Sequence, residues 1–109
     1  MPHAAVSGRS DVFHAIAHPA RRRLLDRLGK SECTATSLAK PFRMTRPGVA
    51  NHLRILRQAG LVKVRREGRE RHYQLVPNRL KTVHDWVTPY QRFWTDSLTR
   101  LGDYLDRTP

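Results

Sequence analysis

The stretch from Thr45 to Gly60, TRPGVANHLRILRQAG, constrains the fold of this chain more than any other. Thr45 is a favourable helix cap, Pro47 falls in the first turn, where a missing N–H costs nothing, and Gly60 follows the last helical position. At about 100° per residue, the apolar and polar side chains separate onto opposite faces. The pattern predicts a short helix with a core face and a hydrogen-bonding face.

The two faces of this helix differ sharply in chemistry. The first face carries Val49, Leu53 and Leu56, and the opposite face carries Pro47, Asn51, Arg54 and Gln58. An ordinary amphipathic helix also has a polar back, so the surrounding sequence must decide what the polar face does.

Charge is the next constraint. The chain has 109 residues, enough for one domain with a modest core, and its 21 Lys and Arg against 9 Asp and Glu give a net charge of +12. Residues 43–71 hold nine of the positive charges against Glu67 and Glu70, whereas residues 78–109 are nearly neutral. A concentrated positive charge indicates a polyanionic partner, and the near-neutral tail indicates a separate task.

Two short helices are predicted first. Residues 1–10 are expected to form a flexible arm, and Ser10 with Asp11 opens a helix that ends where His18 meets Pro19. Pro19 begins a second helix, which Gly29 closes. Its leucines are expected to turn inward, and its four arginines are expected to form a solvated face or, as the alternative, to touch phosphates: Arg21, Arg22, Arg23 and Arg27.

A third short helix completes a helix-turn-helix. Thr34 or Thr36 caps it, and Pro41 prevents it from continuing far. The segment 42–44 then links it to the helix that starts after Thr45. Two short helices joined by so tight a turn, the second with an exposed polar face, are typical of DNA-binding helix-turn-helix proteins.

After Gly60 the hydrophobic period changes from that of a helix to that of a strand. Residues 61–76 predict a β-hairpin that turns at residues 67–70, has a cationic tip and stops before Pro77. A lone hairpin is marginally stable, so Leu61, Tyr73 and Leu75 are expected to pack on the helices. This hairpin is the wing of a winged helix.

The remaining chain predicts one long helix capped by Asn78. Its apolar residues follow a heptad seam, which Pro89 is expected to kink or split. So small a domain cannot cover this seam, so it is interpreted as a homodimer interface formed by Leu80, Val83, Val87, Tyr90, Trp94, Leu98, Leu101 and Leu105. Intrachain packing is the alternative, and the aromatic residues around Trp86 could also line an apolar ligand pocket.

The predicted fold class is therefore mainly α with a small β-hairpin. It is a winged helix-turn-helix with a long C-terminal dimerisation helix. Residues 11–77 form the DNA-binding domain and residues 78–106 the dimerisation helix, within one compact unit. With no apolar stretch long enough for a membrane span and no signal-peptide core, the expected location is the cytoplasm, on the nucleoid.

The segments that carry a family resemblance are, in chain order, HPARRRLLDRL, SLAKPFRMTRPGVANHLRILRQAGLV and RREGRERHYQL. Through these segments the chain resembles the ArsR/SmtB family of bacterial winged helix-turn-helix repressors. The resemblance covers about His14 to Val76, and the tail WVTPYQRFW is similar to one metal-independent branch. It implies a homodimer that represses its own operon, binds a pseudo-palindromic operator and is released by some signal. The chain has His18 where the family often has Asp, which should weaken a helix cap, and Ala50 where the family often has Ser.

The helix and wing together give candidate contacts to duplex DNA. Arg54 and Asn51 are assigned to base edges, because Arg pairs with guanine and Asn with adenine, and Ala50 or Pro47 to a thymine methyl. Thr45 and Arg46 are assigned to a phosphate at the helix N-terminus, where Gly48 either allows close approach or reflects drift from Ala. The wing residues assigned to phosphates or the minor groove are Arg65, Arg66, Arg69 and Arg71.

No metal site, cofactor or enzyme activity is predicted. The thiolate positions implied by the resemblance are Thr34 and Thr36 here, and Cys33 is out of register. A zinc site at His3, His14 and His18 is an alternative, and Cys33 is interpreted as a small buried residue, with a redox switch as the alternative. An RNA-binding winged helix is the competing function, although the sequence lacks interleaved aromatics in its basic region. The sequence does not identify an inducer.

Overall fold

The computed structural model describes residues 11–107 and has a mainly helical architecture. In chain order its elements are α1 (Val12–Ile16), α2 (Pro19–Leu28), β1 (Cys33–Thr34), α3 (Ala35–Phe42), α4 (Arg46–Gln58), β2 (Val62–Glu67), β3 (Glu70–Leu75), α5 (Leu80–Val87) and α6 (Gln91–Arg107). The predicted arm, with His3 and Ser10, lies outside the described residues.

The first two helices begin at side-chain caps. A carboxylate oxygen of Asp11 accepts a hydrogen bond from the backbone N of Phe13 at 2.8 Å, as predicted. The Nδ1 atom of His18 accepts one from the backbone N of Ala20 at 3.0 Å. His18 therefore caps α2, because an imidazole nitrogen satisfies a free N–H at the start of the helix, and the expectation that this cap is weaker than that of an Asp stays a prediction.

The solvated arginine face predicted for α2 is present at Arg22 and Arg23, which are exposed, but not at Arg21. Arg21 is buried, and its Nε and Nη2 atoms donate to the carbonyl oxygens of Ala15 and His14 at 2.7 and 3.1 Å. Arg22 is exposed but donates to the carbonyls of Ile16 and Ala17. The His14 carbonyl also accepts from the backbone N of Ala17, but α1 is too short to supply backbone donors to the carbonyls that follow it. The two guanidinium groups satisfy those carbonyls instead.

The helix-turn-helix is confirmed, with the cap at Thr34 rather than Thr36. The Thr34 hydroxyl accepts from the backbone N of Ser37 at 3.2 Å. Pro41 lies in the last turn of α3, which extends one residue beyond the predicted end, to Phe42. Arg43 then takes a left-handed conformation, with φ of 54°, and starts the turn towards α4.

The hairpin is confirmed, but it belongs to a three-stranded antiparallel sheet with strand order β1-β3-β2. Val64 pairs with Tyr73 across the hairpin, and Cys33 of β1 pairs with Tyr73 from the other side. The prediction missed β1 because two residues carry no readable alternation. The strand fastens the wing to the segment that precedes α3.

The core lies between α2, α3, α4 and the base of the wing. Its largest fully buried side chains are Leu24, Leu38, Leu53, Leu56, Leu61 and Val49. Tyr73 is also buried, and Leu75 packs against the same cluster. The prediction that the hairpin is stabilised by packing on the helices is therefore confirmed.

The C-terminal segment is not one continuous helix. A 3-10 turn at Pro77–Arg79 precedes α5, and a second at Thr88–Tyr90, which contains Pro89, separates α5 from α6. The structure therefore favours the split over the kink. The predicted Asn78 cap was wrong, because Asn78 lies inside the first 3-10 turn and α5 begins without a side-chain cap.

Candidate nucleic-acid interface

The two predicted faces of α4 are present in the structure. Val49, Leu53 and Leu56 are buried. The opposite face, with Pro47, Asn51, Arg54 and Gln58, is exposed to solvent. Hydrophobic burial of one face thus fixes the helix on the body of the domain and leaves the other free for a partner.

Asn51 and Arg54 form a hydrogen-bonded pair on the exposed face. The Nη2 atom of Arg54 donates to the Oδ1 atom of Asn51 at 2.6 Å. Residues three apart on a helix are neighbours, so the pair limits the positions of a long side chain before any partner arrives. Both groups are suited to bidentate contacts with base edges.

The start of α4 is organised around the hydroxyl of Thr45. Its Oγ1 atom accepts from the backbone N of Gly48 at 3.1 Å. A Cβ atom at Gly48 would lie 3.0 Å from that oxygen, so Gly48 leaves room for the cap, a reason the sequence did not suggest. Arg46 and Ala50 are exposed beside it. The hydroxyl hydrogen and the free N–H groups of the first turn suit an anion.

A cationic groove runs between the second half of α4 and strand β2. Arg54 and Arg57 line it from the helix and Lys63 lines it from the strand. Arg57 and Lys63 were not among the predicted contacts. Their positive charge was visible in the sequence, but only the packing of β2 beside α4 brings them to the same groove as Arg54.

The wing places most of its arginines on open surface. Arg66 and Arg71 stand opposite each other in the hairpin, and Arg69 lies in the turn, where Gly68 has φ of +63°. All three arginines are exposed. Like charges directly opposite each other repel, so an anion bound between Arg66 and Arg71 would relieve that repulsion.

Arg65 differs from the other wing arginines because carboxylates already hold it. Its Nη1 atom donates to Glu67 at 2.8 Å, and its Nη2 atom donates to Glu32, which precedes β1. The Nε2 atom of Gln74 donates to the second oxygen of Glu32. The hydrogen bonds from Arg65 and Gln74 lower the pKa of Glu32, and those to Glu32 and Glu67 raise the pKa of Arg65.

His52 of α4 lies beside the domain body rather than on the exposed face that carries Asn51 and Arg54. Its Nδ1 atom is 3.3 Å from the Nη1 atom of Arg21, and its ring centroid is 4.7 Å from that of His18. Burial, followed by the nearby His18 and Arg21, lowers the pKa of His52. Packing against the domain body therefore describes this residue better than a contact to phosphate.

Metal-ligating residues do not converge within residues 11–107, where no group of three His, Cys, Asp or Glu side chains could hold an ion. Cys33 is buried, and its Sγ atom donates to the carbonyl of Ser31 at 3.4 Å. The Nδ1 atom of His84 lies 3.4 Å from the Oδ1 atom of Asp85. None of the helices in this part of the chain is long and apolar enough to cross a membrane.

The C-terminal helices carry an exposed apolar stripe. Its members are Trp86, Tyr90, Phe93, Trp94, Leu98, Leu101, Tyr104 and Leu105, each between 45% and 66% exposed. Among the predicted dimerisation residues, Leu80 and Val83 instead pack on the core of their own chain, and Val87 is half-buried. For Leu80 and Val83 the structure supports the intrachain alternative.

The fold and its basic surface define a winged helix-turn-helix protein. Residues 16–65 match the sequence model of a protein family described as a helix-turn-helix domain. The chain belongs to the ArsR/SmtB family of transcriptional regulators. It is 35% identical over 95 residues to the HTH-type transcriptional regulator Rv2034 of Mycobacterium tuberculosis, covering 87% of this chain and 86% of the relative.

Two further comparisons agree. The chain is 35% identical to the transcriptional repressor SdpR of Bacillus subtilis over 78 residues, which cover 72% of this chain and 87% of the relative. The crystal structure of the ArsR family transcriptional regulator RHA00566 superposes with a TM-score of 0.68 at 31% identity, covering 83% of this chain and 96% of the other. The family resemblance drawn from the sequence is confirmed.

Proposed function

We propose that this protein is a homodimeric repressor that binds a pseudo-palindromic duplex operator through α4 and the wing. One observation carries the proposal: the exposed Asn51–Arg54 pair lies on α4, and exposed cations line both the flank of this helix and the wing beside it. Repression is also supported by the similarity to SdpR, which is named a transcriptional repressor. The proposal includes no catalytic step and no cofactor, and it locates the protein on the nucleoid.

In this proposal α4 enters the major groove. Arg54 reads a guanine and Asn51 an adenine, while Ala50 or Pro47 meets a thymine methyl. Thr45, Arg46 and the Gly48 backbone lie at a phosphate. Three wing arginines follow the neighbouring phosphates or enter the minor groove, namely Arg66, Arg69 and Arg71.

The apolar stripe of α5 and α6 supports the homodimer. A run of exposed Trp, Tyr, Phe and Leu side chains costs free energy in water, and a second copy would cover it. Phe13 of α1 meets Trp86 at 5.7 Å between ring centroids, so the stripe is continuous with α1. Pairing through this surface would present two α4 helices to one face of a duplex, about 34 Å apart.

The first experiment is selection of bound sequences from random duplex DNA by the purified protein, which gives the half-site and its spacing. Arg54→Lys is then compared with the parent protein on the selected duplex and on a scrambled one. Lys keeps the charge but lacks the planar bidentate fork, so preference for the selected sequence should fall by about ten-fold, or about 1.4 kcal/mol, with an unchanged salt slope. Unchanged discrimination would mean that Arg54 does not read a base.

The dimer is tested by Leu98→Glu, which places a charge in the middle of the apolar stripe. Sedimentation at micromolar concentration should show a monomer, together with weakened operator binding. The matched control is Thr99→Glu, which lies on the polar side of the same helix and should leave the dimer intact. A parent protein that sediments as a monomer, or that prefers structured RNA to duplex DNA in competition, would refute the proposal.

A further inference from the structure

We propose that Glu32 and Arg65 form a strut that fixes the wing on the helical body, which makes the acidic residue Glu32 a positioning residue for binding to DNA. Arg65, assigned from the sequence to DNA, then acts within the protein and does not contact phosphate. The inference deepens the proposed function, since it concerns how the wing reaches the duplex.

The contacts of Glu32 carry the proposal. Glu32 lies between α2 and β1, outside the hairpin, and its two carboxylate oxygens are used by different strands. Oε1 accepts from Nη2 of Arg65 in β2, and Oε2 accepts from Nε2 of Gln74 in β3. The Nδ1 atom of His72, also in β3, is 3.6 Å from Oε1. One carboxylate thus connects both strands of the wing to the body of the domain.

The pleat of the hairpin separates Arg65 from the other wing arginines. Arg65 pairs with His72 in the register, whereas Arg66 pairs with Arg71. Successive side chains of a strand point to opposite faces, so Arg65 and His72 share the face that meets Glu32, and Arg66 and Arg71 lie on the other face. The second group is the one left free for phosphates.

The charges around Arg65 also separate it from the wing arginines that are free for phosphates. Glu32 and Glu67 both accept hydrogen bonds from the Arg65 guanidinium. If Arg65 moved to a phosphate, two carboxylates would be left beside a polyanion without their counterion. Holding Arg65 in place therefore keeps acidic groups neutralised close to the DNA, and it keeps the hairpin at a fixed angle to α4.

The proposal predicts that removing the negative charge of Glu32 weakens DNA binding, whereas net charge alone predicts that it strengthens DNA binding. Glu32→Gln makes the protein more positive, so a surface acting through net charge alone would bind DNA more tightly. If Glu32 is part of a strut, Glu32→Gln and Arg65→Ala should each weaken binding by about two- to five-fold, the range expected from an exposed ion pair. The double variant should bind no more weakly than Arg65→Ala, since both changes break the same link.

The measurement is fluorescence anisotropy with a labelled duplex recovered by the selection described above, at one fixed salt concentration. The matched control is Glu70→Gln, on the same hairpin, because Glu70 makes no ion pair within the described part of the chain. This control should bind as tightly as the parent protein or more tightly. Tighter or unchanged binding by Glu32→Gln would overturn the proposal.

A second readout needs no DNA. Amide hydrogen exchange in β2 and β3 should be faster in Glu32→Gln and Arg65→Ala than in the parent protein, and unchanged in Glu70→Gln. Unchanged exchange in the first two variants would refute the strut. If the parent protein binds no duplex, the proposed function fails, while the exchange result still decides whether Glu32 holds the wing.

Discussion

Removing the guanidinium of Arg21 should destabilise the protein although the residue lies in a run of surface arginines. Arg21→Met keeps an unbranched stem but removes the hydrogen bonds to the carbonyls of His14 and Ala15 and the interaction with His52. A hydrogen bond to a charged group contributes about 1.5 to 3 kcal/mol. Two such bonds disappear, and release of a desolvated charge offsets part of that, so we expect the free energy of unfolding to fall by about 2 to 3 kcal/mol.

The assay is urea unfolding at one fixed protein concentration, because the midpoint of a dimer depends on concentration. Arg23→Met is the matched control, since Arg23 is exposed and its guanidinium carbon lies 6.0 Å from the ring centroid of Phe42. That change should cost no more than about 0.5 to 1 kcal/mol. Equal midpoints for the two variants would show that the Arg21 hydrogen bonds do not stabilise the fold.

Three further predictions concern pH, backbone strain and the wing. The pKa of His52 in the folded protein is lowered from 6.5, so the unfolded state takes up the proton first as the pH falls. The free energy of unfolding should therefore decrease below about pH 6.5, and urea unfolding should show a smaller decrease in His52→Gln. Gly60→Ala should lower the melting temperature more than Gly68→Ala: both glycines have positive φ, but a Cβ at Gly60 would lie 3.1 Å from Nε of Arg79, whereas Gly68 faces open space. Arg69→Ala should weaken binding to all duplexes alike and reduce the salt slope by about 0.9 for each phosphate that the protein no longer neutralises.

A stability profile of His52→Gln that parallels the parent protein between about pH 7.5 and pH 5.5 would show that His52 is not the group responsible. Equal melting temperatures for the Gly60 and Gly68 variants would show that Arg79 moves aside freely. A reduced sequence preference in Arg69→Ala would assign that residue to base reading.

Much of the candidate site could be predicted from the sequence, because helix capping, hydrophobic periodicity and turns depend on residues that are close together in the chain. The bounds and faces of α4 follow from the Thr45 cap, from residues whose periodicity is helical and from Gly60, all within one short stretch. The hairpin followed from its alternation and turn in the same way. Exposure of Asn51 and Arg54 was predictable because it depends only on which face of the helix is apolar.

The helix α4, the wing and the concentration of positive charge around them could therefore be predicted from the order of the residues. The tertiary structure is needed to know which charges are free: Arg21 is buried against α1, and Arg65 is paired with Glu32, 33 residues earlier in the chain. It also decided that Cys33 and Thr34 form a strand. The physical reason is that helix periodicity and capping act between near neighbours, whereas the partner of a long charged side chain is set by whichever distant segment the folded core brings beside it.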